Sequence, residues 1–221
     1  MSDDARFVAR GPMLVRRVTL EGQKVALRPM TAGDVSDLFR AARFPEIWEH
    51  TATAAIETEG DMTAYVATAL AEESRGESLP LVLIDPVTRQ VVGASRFANI
   101  SPADRRLAIG WSWLRPDRHG TGMNGEAKAL MLQQAFDGWG ALRVEIRADV
   151  LNGRSRSAIE RIGGTYEGTL RQHMIVRGRV RDTAYYSVID LDWRDPAHRA
   201  YANALRYGIT PGAAPAAATR L

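Results

Sequence analysis

No cysteine occurs among the 221 residues. That absence excludes disulfides, thiolate nucleophiles, cysteine-based metal sites and any acyl-thiol intermediate carried by the chain. Histidine is scarce: the four residues at 50, 119, 173 and 198 show neither an H-x-x-x-H nor an H-E-x-x-H spacing, so no metal ion is expected. No apolar run approaches the ~18 to 20 residues that span a bilayer. The N-terminal MSDDARFVARGPMLVRR has no signal-peptide core. The expectation is a cytoplasmic protein without a membrane partner. A net charge of +3 is small and scattered, which argues against nucleic acid as a partner while favouring anionic ligands slightly.

A hydrophobic content of 45% and a charged content of 25% suit one well-buried domain at this length. Residues 1–17 read as a flexible lead-in, 18–193 as the domain, and 194–221 as a short C-terminal helix with an Ala/Pro-rich tail. A first strand is expected over Val18–Arg28. Helices follow at Ala32–Ala42, capped by Thr31 with Asp34, and from Glu59 or Gly60 to Glu73. Leu79–Ile84, Gln90–Ile100 and Leu107–Leu114 read as an antiparallel meander. Next come a helix at Gly125–Gly138 and a half-buried strand at Leu142–Asp149, an order that implies a parallel pair. Asn152 caps a helix over Gly153–Ile162, and Gly163-Gly164 stops it. Tyr166–Val176 and Thr183–Leu191 form a hairpin through Arg177-Gly178-Arg179, and Trp193–Tyr207 is a terminal helix.

The stretch Leu114–Phe136, LRPDRHGTGMNGEAKALMLQQAF, runs from a strand through a glycine-punctuated turn into a helix. Glycines at 120, 122 and 125 allow positive φ and bring N–H groups close to a ligand. Asn124 stands where an N-cap is wanted, and the unpaired N–H groups and dipole of a helix start favour phosphate. Arg115, Arg118 and His119 add positive charge. A plain structural corner has the same glycines, so this stretch alone leaves both readings open. It is neither a Walker loop, since Gly-Lys-Ser/Thr is absent, nor a Rossmann turn, since it lies mid-domain.

The element order, with IGWSWL at 109–114, NGEAKALMLQQAF at 124–136, NGRSRSAIERIG at 152–163, YEGTLRQH at 166–173 and the later RDTAYYSVI, resembles the GNAT acyltransferase superfamily. Within it, the chain is most similar to the RimJ/RimL type, the ribosomal-protein N-terminal acetyltransferase-like group. The resemblance implies an α/β (α+β) fold: a central mixed, mostly antiparallel sheet flanked by helices, with a parallel splayed strand pair at the acetyl-CoA site. It implies acetyl-CoA as co-substrate and an amine acceptor, small molecule or peptide N-terminus, and it leaves a homodimer open. The superfamily's Gln/Arg-x-x-Gly-x-Gly/Ala motif falls on His119, Gly120, Thr121, Gly122, Met123 and Asn124, keeping only Gly122. The resemblance further implies cofactor contacts from backbone near Trp113 or Leu114, which would hold the oxyanion, and from Asn152 and Ser155.

Ile159 stands where many members have a thiol-protonating tyrosine, and the RimL type implies Ser155 instead. Ser155 otherwise only helps the cap. Leu107-Ala108 stands where relatives often carry a glutamate. The base is therefore open among His173, Glu145, Glu126 and His50. The acceptor pocket is expected from the first two helices, the Trp48–Thr53 loop and the hairpin near Arg177–Arg181, with Trp48 either a core anchor or a pocket wall. Two functions fit: an N-acetyltransferase working by direct transfer in a ternary complex, or a non-catalytic acyl-CoA-binding protein on the same fold.

Overall fold

The segment expected as one first strand folds as two. In a computed structural model of the protein, which describes residues 12–206, β1 (Leu20–Glu21) and β2 (Ala26–Pro29) are antiparallel neighbours. The Gly22 N–H donates to the Val25 carbonyl at 3.0 Å and closes the turn between them. Its cause lies far along the chain. The Glu126 carboxylate accepts the backbone N–H groups of Gln23 (2.9 Å), Lys24 (2.7 Å) and Val25 (2.8 Å). A Cβ at Gly22 would stand 2.6 Å from that carboxylate, so glycine is required there.

Thr31 and Asp34 form the expected capping box, and it opens a short 3-10 turn before α1 (Val35–Ala42). Thr58 and Asp61 do the same for α2 (Glu59–Ser74). The meander appears as β3 (Leu79–Ile84), β4 (Val91–Ser101) and β5 (Arg106–Leu114). After it come α3 (Met123–Gln133), a π-helical turn at Gln134–Gly138, β6 (Arg143–Asp149), α4 (Gly153–Arg161), β7 (Thr165–Val176) and β8 (Arg179–Ile189). The single terminal helix expected over Trp193–Tyr207 is instead two, α5 (Asp190–Arg194) and α6 (Pro196–Arg206), because Pro196 cannot continue α5. Tyr207 and the Ala/Pro-rich tail lie outside the described residues, as do residues 1–11.

The sheet order is β1-β2-β3-β4-β5-β6-β8-β7, and β5–β6 is its one parallel pair among the described residues. This is the mixed α/β sheet flanked by helices that the sequence implied. Two cores lie on its faces. Leu27, Leu81, Val92, Phe97 and Ile109 pack with α3, α4 and α6 on one face, whereas Val82, Ala94 and Trp113 pack with α1 and α2 on the other. Helix α6 contributes Ala202 to the first core, and the buried His198 imidazole sits against the Gly163 turn, where a Cβ would meet it at 2.1 Å. Met13, inside the lead-in segment, is 2% exposed, and its N–H donates to the Pro102 carbonyl.

The three N–H groups on Glu126 predict a specific weakness. Glu126→Gln removes the charge and turns an amide NH2 toward backbone donors, so we expect a loss of about 3 kcal/mol. It should appear as a lower urea midpoint at unchanged m. A loss below about 1 kcal/mol would show that solvent substitutes for the carboxylate.

Candidate active site

Strand β5 stays on β4 up to Leu114, which pairs with Gly93, but it keeps β6 only over Arg106–Ile109 against Arg143–Ile146. Beyond Ile109 the two parallel strands share no ladder pair, because β6 continues on β8 through Asp149 against Thr183. A bulge sharpens the divergence. The β4–β5 register shifts between Ala94 and Arg96, and Trp111 opposite has φ of +48°. Gly93 admits the close approach there, since a Cβ would lie 2.2 Å from the Trp113 carbonyl oxygen. The stretch 110–114 thus lines an opening between β5 and β6.

The glycine turn follows directly. After a 3-10 turn at Pro116–Arg118, Gly120 and Gly122 take φ of +75° and +90°. Gly122 is the N-cap of α3, so Asn124 is the second helical residue and not the cap that its side chain suggested. The helix starts earlier because only glycine enters the left-handed region cheaply. The Glu126 N–H is bonded to the Gly122 carbonyl and the Met123 N–H to Thr121 Oγ1 at 3.4 Å, which leaves those of Asn124 and Gly125 as the orphan donors of a helix start. Cations nearby are partly committed: Arg115 to Asp117 at 2.9 Å, Arg118 to Asp85 at 3.3 Å, and Lys24 Nζ to the Thr121 carbonyl at 3.2 Å. The free backbone donors and positive dipole fit an anionic pyrophosphate.

His119 faces inward. Arg154 donates to its Nδ1 at 3.0 Å, so Nε2 carries the hydrogen and donates to the Leu114 carbonyl at 3.0 Å. The imidazole thereby ties the turn to β5 and to the first turn of α4. Asn152 Oδ1 accepts the Ser155 N–H at 2.9 Å, the expected cap. Ser155 is half-buried, and its hydroxyl has no partner among the described residues. Ile159 is buried in the core.

Trp113 and Leu114 lie on the parted stretch of β5, His119 to Asn124 follow in the turn, and the Arg154–His119 bond brings the start of α4, which carries the Asn152 cap and Ser155, against that turn. The four candidate bases have other partners. His173 lies on β7, with β8 between it and β6, and its Nδ1 meets Thr183 Oγ1 at 3.0 Å. Glu145 pairs with Arg143 (3.2 Å) and Arg147 (3.6 Å), His50 lies 3.8 Å from Glu49, and Glu126 is committed to the β1–β2 turn. Trp48 is a core anchor: it is 2% exposed, its Nε1 donates to the Ala42 carbonyl, and its ring packs on Trp113 at 5.6 Å. At the hairpin tip Arg177 donates to the carbonyls of Trp48 (2.6 Å) and Glu49 (2.8 Å), which fixes that loop against β7–β8.

One residue escaped sequence reading altogether. Lys128 on α3 is buried, and its Nζ donates to Ser95 Oγ at 3.0 Å and to Ser112 Oγ. Burial, with no carboxylate to offset it, lowers its pKa to about 7. The signal was a lysine inside an apolar run, Ala127 to Leu132, on a helix that the structure buries on every side.

Residues 24–165, more than half of the chain, match the family model described as an acetyltransferase (GNAT) domain. The chain belongs to the GNAT acetyltransferase family. A GCN5-related N-acetyltransferase from Brucella melitensis superposes with a TM-score of 0.81 at 31% identity, over 89% of this chain and 90% of that one. YdaF of Bacillus subtilis (strain 168), which carries the name of a ribosomal N-acetyltransferase, is 34% identical over 95 residues, 43% of this chain and 51% of YdaF. The match thus spans about half of YdaF, and it supports the RimJ-like grouping. Mycobacterium smegmatis RimJ, solved with CoA-disulfide, shares the fold at a TM-score of 0.75 and 22% identity, over 86% of this chain and 96% of RimJ.

Two outcomes follow from this GNAT site. With the phosphates on backbone N–H groups, His119→Ala is expected to weaken acetyl-CoA binding less than tenfold by calorimetry, about 1.4 kcal/mol. A larger loss would place the imidazole on the phosphate. Lys128→Met should stabilise the fold at pH 7 by a few kcal/mol. The lysine titrates near 10.4 unfolded and near 7 folded. Between those values the unfolded chain binds more protons, so wild-type stability rises with pH. The cost is full below pH 7, and the variant's advantage should shrink in urea titrations run toward pH 10.

Proposed function

We propose that this GNAT protein is an acetyl-CoA-dependent N-acetyltransferase that transfers the acetyl group to a primary amine, a protein N-terminus or a small molecule, by direct attack in a ternary complex. The observation that carries this reading is the parting of β5 from β6 after Ile109, beside a turn whose backbone donors suit a pyrophosphate. The Gly120–Asn124 backbone and the start of α3 hold the phosphates. Backbone along 110–114 binds the pantetheine arm, and an N–H near Trp113 or Leu114 receives the oxyanion. Asn152 hydrogen-bonds the arm, and Ser155, with its uncommitted hydroxyl, gives the departing thiolate a proton. The acceptor enters past the 48–53 loop held by Arg177 and reaches the parted stretch of β5, whose Trp113 packs on Trp48. Relatives support the cofactor: the immunity acetyltransferase MccE was solved with acetyl-CoA and AMP.

Thiol release from acetyl-CoA, followed across peptide N-termini, polyamines, amino acids and aminoglycosides, tests the reading. Turnover with at least one amine is expected. Ser155→Ala should lower kcat by about 10²-fold while leaving the acetyl-CoA Kd within about threefold. Tight acetyl-CoA binding with no thiol release in any arm would make the protein an acyl-CoA-binding module instead.

A further inference from the structure

The attacking amine enters as an ammonium ion at neutral pH and must lose a proton before it can attack. The carboxylates and imidazoles that the sequence offered for this task are engaged elsewhere or lie beyond β8. Ser112, by contrast, is exposed on the part of β5 that has left β6, between the bulge residue Trp111 and Trp113. Its Oγ lies 2.8 Å from Ser95 Oγ and 3.2 Å from the Gly110 carbonyl, and it receives Lys128 Nζ. Lys128 in turn lies 3.0 Å from Ser95 Oγ. Three polar groups thus close a triangle beneath the sheet, and Ser112 is its one exposed corner, on the stretch of β5 that has left β6.

Resting on the acetyltransferase reading, we infer that Ser112 and Lys128 form the proton exit of the acetyl-transfer site, with Ser112 in contact with the amine and Lys128 holding the proton behind it. The charged groups around Lys128 support this. On α3, Glu126 turns to the β1–β2 backbone. On β4, Arg96 lies on the opposite face, paired with Glu72 at 2.9 Å. After β5, Arg115 pairs with Asp117 at 2.9 Å. No carboxylate among the described residues bonds to the lysine, so only two hydroxyls meet its amine, and burial favours the neutral form with its lone pair.

The step balances without any redox partner. The acceptor ammonium passes a proton to Ser112 Oγ while the Ser112 hydroxyl proton moves to Lys128 Nζ. The products are a free amine, an intact serine and a lysine ammonium. The amine attacks the thioester carbon, the C–S bond breaks, the departing thiolate takes the Ser155 hydroxyl proton and the second proton of the amine nitrogen restores that hydroxyl; after product leaves, Lys128 returns its proton to solvent through Ser112. Ser112 is therefore the catalytic residue, and Lys128 acts through it as a positioning residue.

Nitrogen NMR of Lys128 Nζ, read with pH profiles of kcat/KM on two acceptors whose amine pKa values differ by more than about one unit, tests the relay. In wild type, Nζ should titrate near 7, and the acid limb of both profiles should share that midpoint. Ser112→Ala should lose about 10²-fold in kcat, with the acetyl-CoA Kd within about threefold and Nζ still titrating low. Lys128→Met should lose a similar factor together with the limb, and Lys128→Arg, which retains charge and bulk, should not restore either. Titration of Nζ near 10, a limb unchanged in Lys128→Met, or an acetyl adduct on Ser112 in the intact mass would overturn the relay. A wild type that releases no thiol although Nζ titrates near 7 would instead sink the acetyltransferase reading beneath it.

Discussion

Strand β5 is required to serve two neighbours that run in different directions, and the site is the place where it cannot. Antiparallel β4 holds it to Leu114, whereas parallel β6 is held on its far edge by β8 and parts from it after Ile109. Two local features keep β5 with β4. The bulge at Trp111 absorbs the register shift, and Gly93 allows β4 to pass against the Trp113 carbonyl. A sheet whose ladder was continuous here would satisfy its own backbone groups and have none left for a ligand. The opening is therefore a consequence of strand order, and the glycine turn gains its role from standing at the end of that strand.

Much of this was legible because period and punctuation are local properties. Alternation located the meander and β6, the Thr31–Asp34 cap located α1, apolar residues at three and four spacing located α2, and Asn152 located α4. The β5–β6 parallel pair followed from strand-helix-strand order alone. What failed depended on partners distant in sequence or on backbone conformation that side-chain preference does not report. The break between β1 and β2 is dictated by Glu126, and a single strand was the sensible local reading of Val18–Arg28. Gly122 displaced Asn124 as the cap because left-handed backbone outweighs side-chain preference at that position. At the site, the glycine turn leading into α3 was readable from its glycines. Lys128 was not, since an apolar stripe on one side of α3 gave no sign that the other side was buried too.

Helix α3 carries two charged side chains into the interior, and the fold treats them oppositely. Glu126 arrives at three backbone donors, so its charge is compensated and it works as a structural staple. Lys128 arrives at two hydroxyls and no counter-charge, so its ammonium form is penalised. The first arrangement lowers the energy of the native state, whereas the second raises it in the protonated form. A buried cation retained at such a cost, with its only exposed partner at the opening, has the character of a site feature rather than a packing accident.

The imperfect match to the family's pyrophosphate motif has a physical account in the same terms. Phosphate binding at a helix start draws on N–H groups and dipole, which any sequence supplies once the glycines permit the turn. Side chains at the flanking motif positions are then free to do other work. His119 bridges Arg154 to the Leu114 carbonyl and so couples turn, strand and α4 into one rigid unit. The 48–53 loop is built the other way, from side chains such as Arg177 and Trp48 that fix it. Recognition by backbone can thus persist while residues change, whereas recognition by side chains depends on which are present, so a sequence offers more about the proposed acetyl-CoA seat than about the proposed acceptor.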